Sequence, residues 1–254
     1  MNTISAVIIT HNEERNIVRC LSSLQGVAED VVVVDSGSSD STQSLCQKLG
    51  ARFFHHDWAG YSEQKNYANS LATGDWILSI DADEALSDEL RASLLQLKQS
   101  GLDADTIYSF NRLNNYCGSW IKHCGWYPDE KLRLWRNGSA RWDGIVHEEL
   151  RHDAAKQLRL DGNLLHYTYY SVADHAARQV KYATLAAEKA HQQGRRCGCG
   201  SLLFKPLWNF TRNYLLKGGI LDGRAGFIIC KMSAFYTFVK YAKLRELNRT
   251  VISD

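Results

Sequence analysis

An α/β fold, with helices on both faces of a mostly parallel sheet, is the architecture this 254-residue sequence predicts. Three observations predict it. Strand-like and helix-like segments alternate through the first hundred residues, the pattern of βαβ units. The strand-like segments are apolar, β-branched runs, as in strands covered on both faces. Polar clusters follow them directly, and the carboxyl ends of the strands are where ligands bind in an open α/β sheet.

The elements follow in order. Ile4–Ile9 reads as a buried strand, and Glu13–Leu24 as a helix with Ile17, Leu21 and Leu24 on one face. Asp30–Val34 holds four consecutive valines; Gln43–Leu49 reads as a short helix and Ala51–His55 as a third strand. Ser62–Leu71 is a third helix and Trp76–Ile80 a fourth strand. Ser87 caps a helix whose first turn carries Asp88 and Glu89, with Leu90, Leu94 and Leu97 inward. From about residue 105 the pattern changes. Ile107–Arg112, Lys131–Trp135 and Leu164–Tyr167 look like strands joined by long loops rich in Gly, Asn, Trp and Tyr, where acceptor binding is placed. Ser171, with Asp174 three residues on, opens a helix to about residue 192. Helical stretches near 202–217 and 224–246 complete the chain. The expected organisation is a main domain over 1–170, in two halves (1–100 and 101–170). A basic, aromatic helical extension over 171–254 follows.

Composition is that of a globular protein, 44% hydrophobic and 23% charged. The charge is uneven. Residues 1–200 hold 21 Lys and Arg against 25 Asp and Glu, whereas residues 201–254 hold nine against three. That basic excess, together with nine aromatics between Phe204 and Tyr241, describes an interfacial helix on an anionic bilayer. An apolar stripe of Ile228, Met232, Phe235, Val239 and Ala242 forms its expected inner or lipid face. Packing on the domain's own core, or at a dimer contact, is the competing account. Nucleic acid is a poor partner, since no binding motif accompanies the charge. No uncharged run reaches the ~18 residues of a membrane span, and the N-terminus has no signal-peptide pattern, so a cytoplasmic, peripheral protein with reduced thiols is expected. Seven scattered cysteines fit no usual zinc spacing.

The most informative stretch is Trp76 to Glu84, where an apolar strand ends in two carboxylates, Asp81 and Asp83. Paired carboxylates repel unless a cation or donors lie between them. Mg²⁺ and Mn²⁺ take such oxygen ligands and share them with substrate phosphates. An ordinary acidic turn is the plain alternative. Two other strand ends are polar: Thr10-His11-Asn12-Glu13, and Asp35 through Thr42. The helix before the fourth strand carries Gln64-Lys65-Asn66.

Taken together, these words resemble the inverting family 2 glycosyltransferases with the GT-A (Rossmann-like) fold, most clearly from Ser5 to Glu84. Lys131-Leu-Arg-Leu-Trp135, Gly144-Ile-Val-His-Glu148 and Lys217-Gly-Gly…Asp-Gly-Arg224 resemble the branch holding the lipopolysaccharide inner-core β-1,4-glucosyltransferases. The resemblance implies transfer of a hexose, glucose from UDP-glucose, to a lipid-linked saccharide; a polyprenyl-phosphate acceptor and other UDP-sugars stay open. It implies a divalent metal, Mg²⁺ or Mn²⁺, with Asp83 as direct ligand and Asp81 touching ribose or metal through water. Asp35 matches the residue that hydrogen-bonds uracil, and Thr10 and Glu13 match those lining base and ribose. Asn12 joins this nucleotide-sugar set, although it also reads as a helix cap. Lys65 sits where a basic residue lies near the nucleotide, although alone it reads as a solvated lysine. Inversion needs a base to take the acceptor proton. Glu148 is favoured over Glu149, His147 and Asp129, with His147 orienting substrate or phosphate. His166 is a candidate late metal or diphosphate ligand, or a structural histidine. A nucleotidyltransferase reading lacks its Gly-rich loop, a dehydrogenase its Gly-x-Gly-x-x-Gly. A non-catalytic nucleotide-sugar-binding protein on the same fold is the remaining alternative.

Overall fold

The computed structural model describes residues 2–144 and 148–250. The chain separates into two compact units, Met1–Arg112 with Asp129–Tyr167, and Leu113–Pro128 with Thr168–Asp254.

In the first unit β1 (Ile4–Thr10), β2 (Asp30–Asp35), β3 (Arg52–His55) and β4 (Trp76–Ser79) pair in parallel, and α1 (Ile17–Ser23), α2 (Thr42–Lys48) and α3 (Tyr61–Ser70) connect them. The sheet continues through β5 (Glu84–Leu86), β6 (Thr106–Tyr116), β8 (Glu130–Arg136) and β11 (Lys156–Tyr169), in the order β3-β2-β1-β4-β8-β6-β11-β5. β8 runs antiparallel to β4 and β6 antiparallel to β8. Two apolar layers cover its faces. One holds Ile4, Ile8, Ile17, Leu78, Leu90 and Phe110; the other holds Val7, Val32, Ile77, Trp135 and Trp142. This is the mixed α/β fold expected, with the parallel half first.

α4 (Asp88–Ser100) begins at Ser87, whose side chain accepts from the Leu90 N–H, and buries Leu90 and Leu94. Three expectations need correction. The first helix starts at Ile17 rather than Glu13, because Asn12 adopts a left-handed φ of 55° and Glu13–Asn16 form a turn. The region after residue 105 is largely strand rather than long loops. Its turns are tight: Cys117 (φ 50°) and Gly118 (φ 90°) join β6 to β7 (Ser119–Ile121), as a two-residue hairpin with two positive φ values requires. β9 (Ala140–Asp143) and β10 (Glu149–His152) form a separate two-stranded sheet. β5 was not foreseen at all.

The second unit contains α5 (Val172–Gln192), α6 (Cys199–Thr211), a π-helical turn at Arg212–Leu216, a 3₁₀ turn at Gly219–Asp222, and α7 (Gly223–Thr250). Ser171 caps α5 through the Asp174 N–H. The stripe expected on α7 is its inner face only in part: Ile228 packs on a buried cluster with Tyr116 and Cys230. The helix buries Ile229, Cys230 and Leu244, and Phe235 is exposed. Cys124 lies against Cys230, Sγ to Sγ 3.7 Å.

Candidate active site

The register of β1 on β2 places Thr10 opposite Asp35 at the carboxyl end of both strands. The Asp35 carboxylate accepts from the Gly37 and Ser38 N–H groups at 2.9 and 2.7 Å and from the Thr10 hydroxyl at 2.8 Å. The Ser38 hydroxyl completes its shell. Burial works against its charge, but these four donors outweigh it and hold the carboxyl below its ordinary range. Asn12 ties the two strand ends together. Its N–H donates to Ser38 Oγ at 2.7 Å and its Oδ1 accepts from the Ser39 N–H at 2.9 Å, so it is a loop clasp and not a helix cap. The Glu13 N–H donates to Thr42 Oγ1, and Glu13 Oε2 accepts from Asn16.

Lys65 is not a solvated lysine. α3 turns Ser62, Lys65 and Ala68 to one buried face, leaving Lys65 only 5% exposed. Its Nζ lies 3.1 Å from Asp81 Oδ1, 3.7 Å from Glu148 Oε1 and 4.6 Å from the centre of the Trp142 ring. Asp81 is held from its other side by Arg133 Nη2 at 3.0 Å. Burial would raise the Asp81 carboxyl, but Arg133 and Lys65 drive it far below its ordinary value. Arg133, at the middle of β8, also donates to Glu84 at 2.8 and 3.0 Å. Glu84 in turn accepts from the Asp81 N–H. Burial pushes the Glu84 carboxyl up despite Arg133.

Asp83 faces a different partner. β5 pairs with β11 so that Glu84 stands opposite His166, and the Tyr167 N–H donates to the Asp83 carbonyl at 2.9 Å. His166 Nε2 then lies 3.1 Å from Asp83 Oδ2. Among the described residues Asp83 has no lysine or arginine partner. No three described His, Cys, Asp and Glu side chains converge as a metal cluster. A carboxylate oxygen and an imidazole nitrogen at this separation nevertheless suit a divalent ion that keeps water and phosphate oxygens as its other ligands.

A cavity of about 420 Å³ opens beside the cluster, lined among others by Lys65, Asp81, Arg112, Lys131, Arg133 and Glu148. Of the base candidates, Glu148 faces it. Asp129 is taken by Arg112 at 2.8 Å and Lys131 at 2.8 Å, and Glu149 is exposed on β10. His147 lies outside the described residues. The structure thus brings together Lys65, Asp81 and Glu148 in one group, Asp83 and His166 in a second, and Thr10, Asn12, Glu13 and Asp35 in a third. Sequence reasoning missed Arg133, Glu84 and Arg112. The available signal was an arginine in the middle of an otherwise apolar strand word, a position that needs a buried anion.

The family model described as glycosyl transferase family 2 matches residues 5–144. The lipopolysaccharide core biosynthesis glycosyltransferase LpsC of Rhizobium meliloti is 32% identical over 255 residues, 96% of this chain and 92% of that protein. An uncharacterized glycosyltransferase of Rickettsia typhi is 30% identical over 267 residues, all of this chain and 91% of that protein. Among solved structures, a glucosyl-3-phosphoglycerate synthase of Mycobacterium tuberculosis matches with a TM-score of 0.36 and 22% identity, covering 45% of this chain and 44% of that one.

Proposed function

Because the chain belongs to glycosyl transferase family 2, a group of glycosyltransferases, we propose that it is an inverting, metal-dependent member that moves glucose from UDP-glucose to a lipid-linked saccharide of the lipopolysaccharide inner core. The relative LpsC supports a lipopolysaccharide core acceptor. The observation that carries the reading is the division of labour after β4, where Asp81 is bound by two cations and Asp83 by a histidine.

In this reading Thr10, Asn12, Glu13 and Asp35 shape the nucleoside pocket. Asp35 acts through the loop its four donors rigidify, presenting a polar wall to base and ribose. Asp83 and His166 would hold the divalent ion, which would offset the charge growing on the diphosphate. Asp81, fixed by Lys65 and Arg133, would face the ribose beside that site. Lys65 keeps a positive charge beside the leaving group. Glu148, across the cavity, takes the proton of the acceptor hydroxyl on the face opposite the diphosphate, with His147 orienting substrate. The basic second unit faces an anionic membrane surface, where a lipid-linked acceptor resides, and the enzyme works peripherally on the inner face of the cytoplasmic membrane. Among the described residues no helix is long and apolar enough to cross it.

The test is a panel of nucleotide sugars assayed for binding and transfer, with and without chelator. UDP-glucose should be preferred, and both chelator and Asp83→Ala should remove metal-dependent UDP binding while the far-UV spectrum is unchanged. Full transfer in excess chelator would defeat the metal assignment, and preference for another donor would defeat the glucose assignment.

A further inference from the structure

α6 packs Phe210 inward but turns much of its apolar surface outward. Its outward side carries Leu203, Phe204, Leu207 and Trp208, with Leu203 and Phe204 73% and 72% exposed. Its inward side continues in polar residues. Asn213 in the turn that follows is 6% exposed, and its Nδ2 donates to Asn209 Oδ1 at 3.1 Å and to Ser233 Oγ at 3.2 Å on α7. Ser233 closes the triangle by donating to Asn209 at 2.8 Å. The turns after α6 extend the apolar face with Leu215, Leu216 and Leu221, all more than half exposed. Water favours the reverse distribution, and contiguous exposed apolar surface of this kind marks a contact with something apolar. Thirteen residues make a helix of about 20 Å, too short to cross a ~30 Å hydrocarbon core. It is long enough to lie in the interfacial plane.

Beside this face α6 and α7 enclose a groove of about 450 Å³. Its walls are aromatic, from Phe204, Trp208 and Tyr241, and its charged lining is Lys205, Arg212 and Lys240, with no acid. None of the three cations forms an ion pair among the described residues. Lys205 instead lies over the Tyr241 ring at 4.0 Å. Lys243, by contrast, is neutralised by Glu246 at 2.7 Å, and Lys231 packs over Phe210. Three unneutralised cations in an aromatic groove complement one kind of occupant, an anion whose remainder is apolar.

We propose that this groove receives the phosphate headgroup of an anionic membrane phospholipid while the outward face of α6 and its following turns enters the lipid layer. The proposal rests on the membrane-surface reading above and deepens it, by moving the contact from the α7 stripe to α6 and by naming the lipid class.

The full chain is tested by co-sedimentation with vesicles of phosphatidylcholine alone and of equimolar phosphatidylcholine and phosphatidylglycerol. The parent should bind both and prefer the second. Lys205→Ala with Arg212→Ala and Lys240→Ala should erase that preference, by on the order of a hundredfold, the weight three basic residues carry at an anionic surface. The same number of exposed cations removed elsewhere, Lys48→Ala with Lys156→Ala and Arg159→Ala, should leave it. Leu203→Ser with Phe204→Ser and Trp208→Ser should weaken binding to both vesicle types, with the thermal melt of each variant as the check on folding. If the groove variant keeps the preference, or the control loses as much, the groove assignment falls while membrane binding stands. Release of the bound protein by inorganic phosphate at matched phosphate concentration would likewise overturn it in favour of a free-phosphate site. If the parent binds neither vesicle, the membrane-surface reading itself is wrong. A stable dimer dispersed by the apolar variant would assign the face to a second copy and overturn the proposal.

Discussion

Arg133 donates through a single nitrogen, Nη2, to Asp81 and to both oxygens of Glu84, inside a site where it is itself 3% exposed. Removing it leaves the buried Glu84 carboxylate without its closest cation and facing the half-buried Asp81, and breaking a buried pair this way costs about 3–5 kcal/mol. Arg133→Met is therefore expected to lower stability by that order in denaturant titration, and to weaken donor binding because Asp81 is no longer fixed. Arg133→Lys should recover only part of both, since an ammonium is more strongly hydrated than a guanidinium and costs more to bury. At Glu148 the expectation is kinetic. Glu148→Gln keeps size and hydrogen bonding but not basicity, so turnover should fall by about 10²-fold or more with donor affinity nearly unchanged. Normal turnover in that variant, with loss in Asp129→Asn, would move the base to Asp129. The carboxylates themselves were legible, because each follows directly on a strand. Their cationic partners were not. Whether Lys65 or Arg133 is buried depends on strands and helices that pack against it from far along the chain, and local pattern carries no such information.

Among the elements, β5 and α4 share a hinge at Ser87. Its hydroxyl accepts from the Leu90 N–H at 3.1 Å and from the Asn163 N–H at 3.0 Å, capping the helix and clamping β11 together. The fit is close at Gly162 (φ 96°), where an added Cβ would stand 2.2 Å from the Leu90 nitrogen. Ser87→Ala should cost about 1 kcal/mol for the lost cap, and somewhat more because the Asn163 donor is stranded too. Equilibrium unfolding measures it, and no change would mean that water replaces the hydroxyl at both donors. The cap was readable from Ser87 and the acidic first turn. β5 was not, because three residues show no period and its partner strand lies some eighty residues on. β9 and β10 pair locally with each other, but four residues each leave too little alternation to read as strands. Long elements with their own periodicity, such as α5, were read nearly to their ends.

At the scale of the whole molecule, the two units differ in how acid affects them. In the second unit His175 is 1% exposed, beside Tyr116 and Tyr169, and burial lowers its pKa from 6.5 to about 4. The unfolded chain takes up a proton that the folded one refuses, so stability falls as pH drops from about 6.5 toward 4, by up to about 3 kcal/mol. In the first unit Asp30, Asp35 and Asp81 have depressed values, so their contribution is intact above the ordinary carboxylate range and is lost only at lower pH. Thermal melts against pH should therefore show the second unit weakening first, and His175→Gln should flatten that early limb. An unchanged early limb in that variant would refute the assignment to His175. The grouping of Leu113–Pro128 with the C-terminal helices was not legible. It rests on contacts such as Tyr116 with His175, made between residues that nothing in the local sequence connects.

The pairing of β11 with β5 has a consequence in time. A ribosome delivers the chain amino end first, so Asp83 leaves long before the strand that carries His166. At about 5–20 residues per second the interval is on the order of ten seconds. Throughout it Thr10, Asp35, Lys65 and Asp81 have already been synthesised, while Asp83 still lacks the imidazole that faces it in the finished protein. A polypeptide released early, by a stalled or broken message, carries the loops after β1 and β2 without that histidine. The order of translation thus leaves the Asp83–His166 pair as one of the last parts of the site to be assembled.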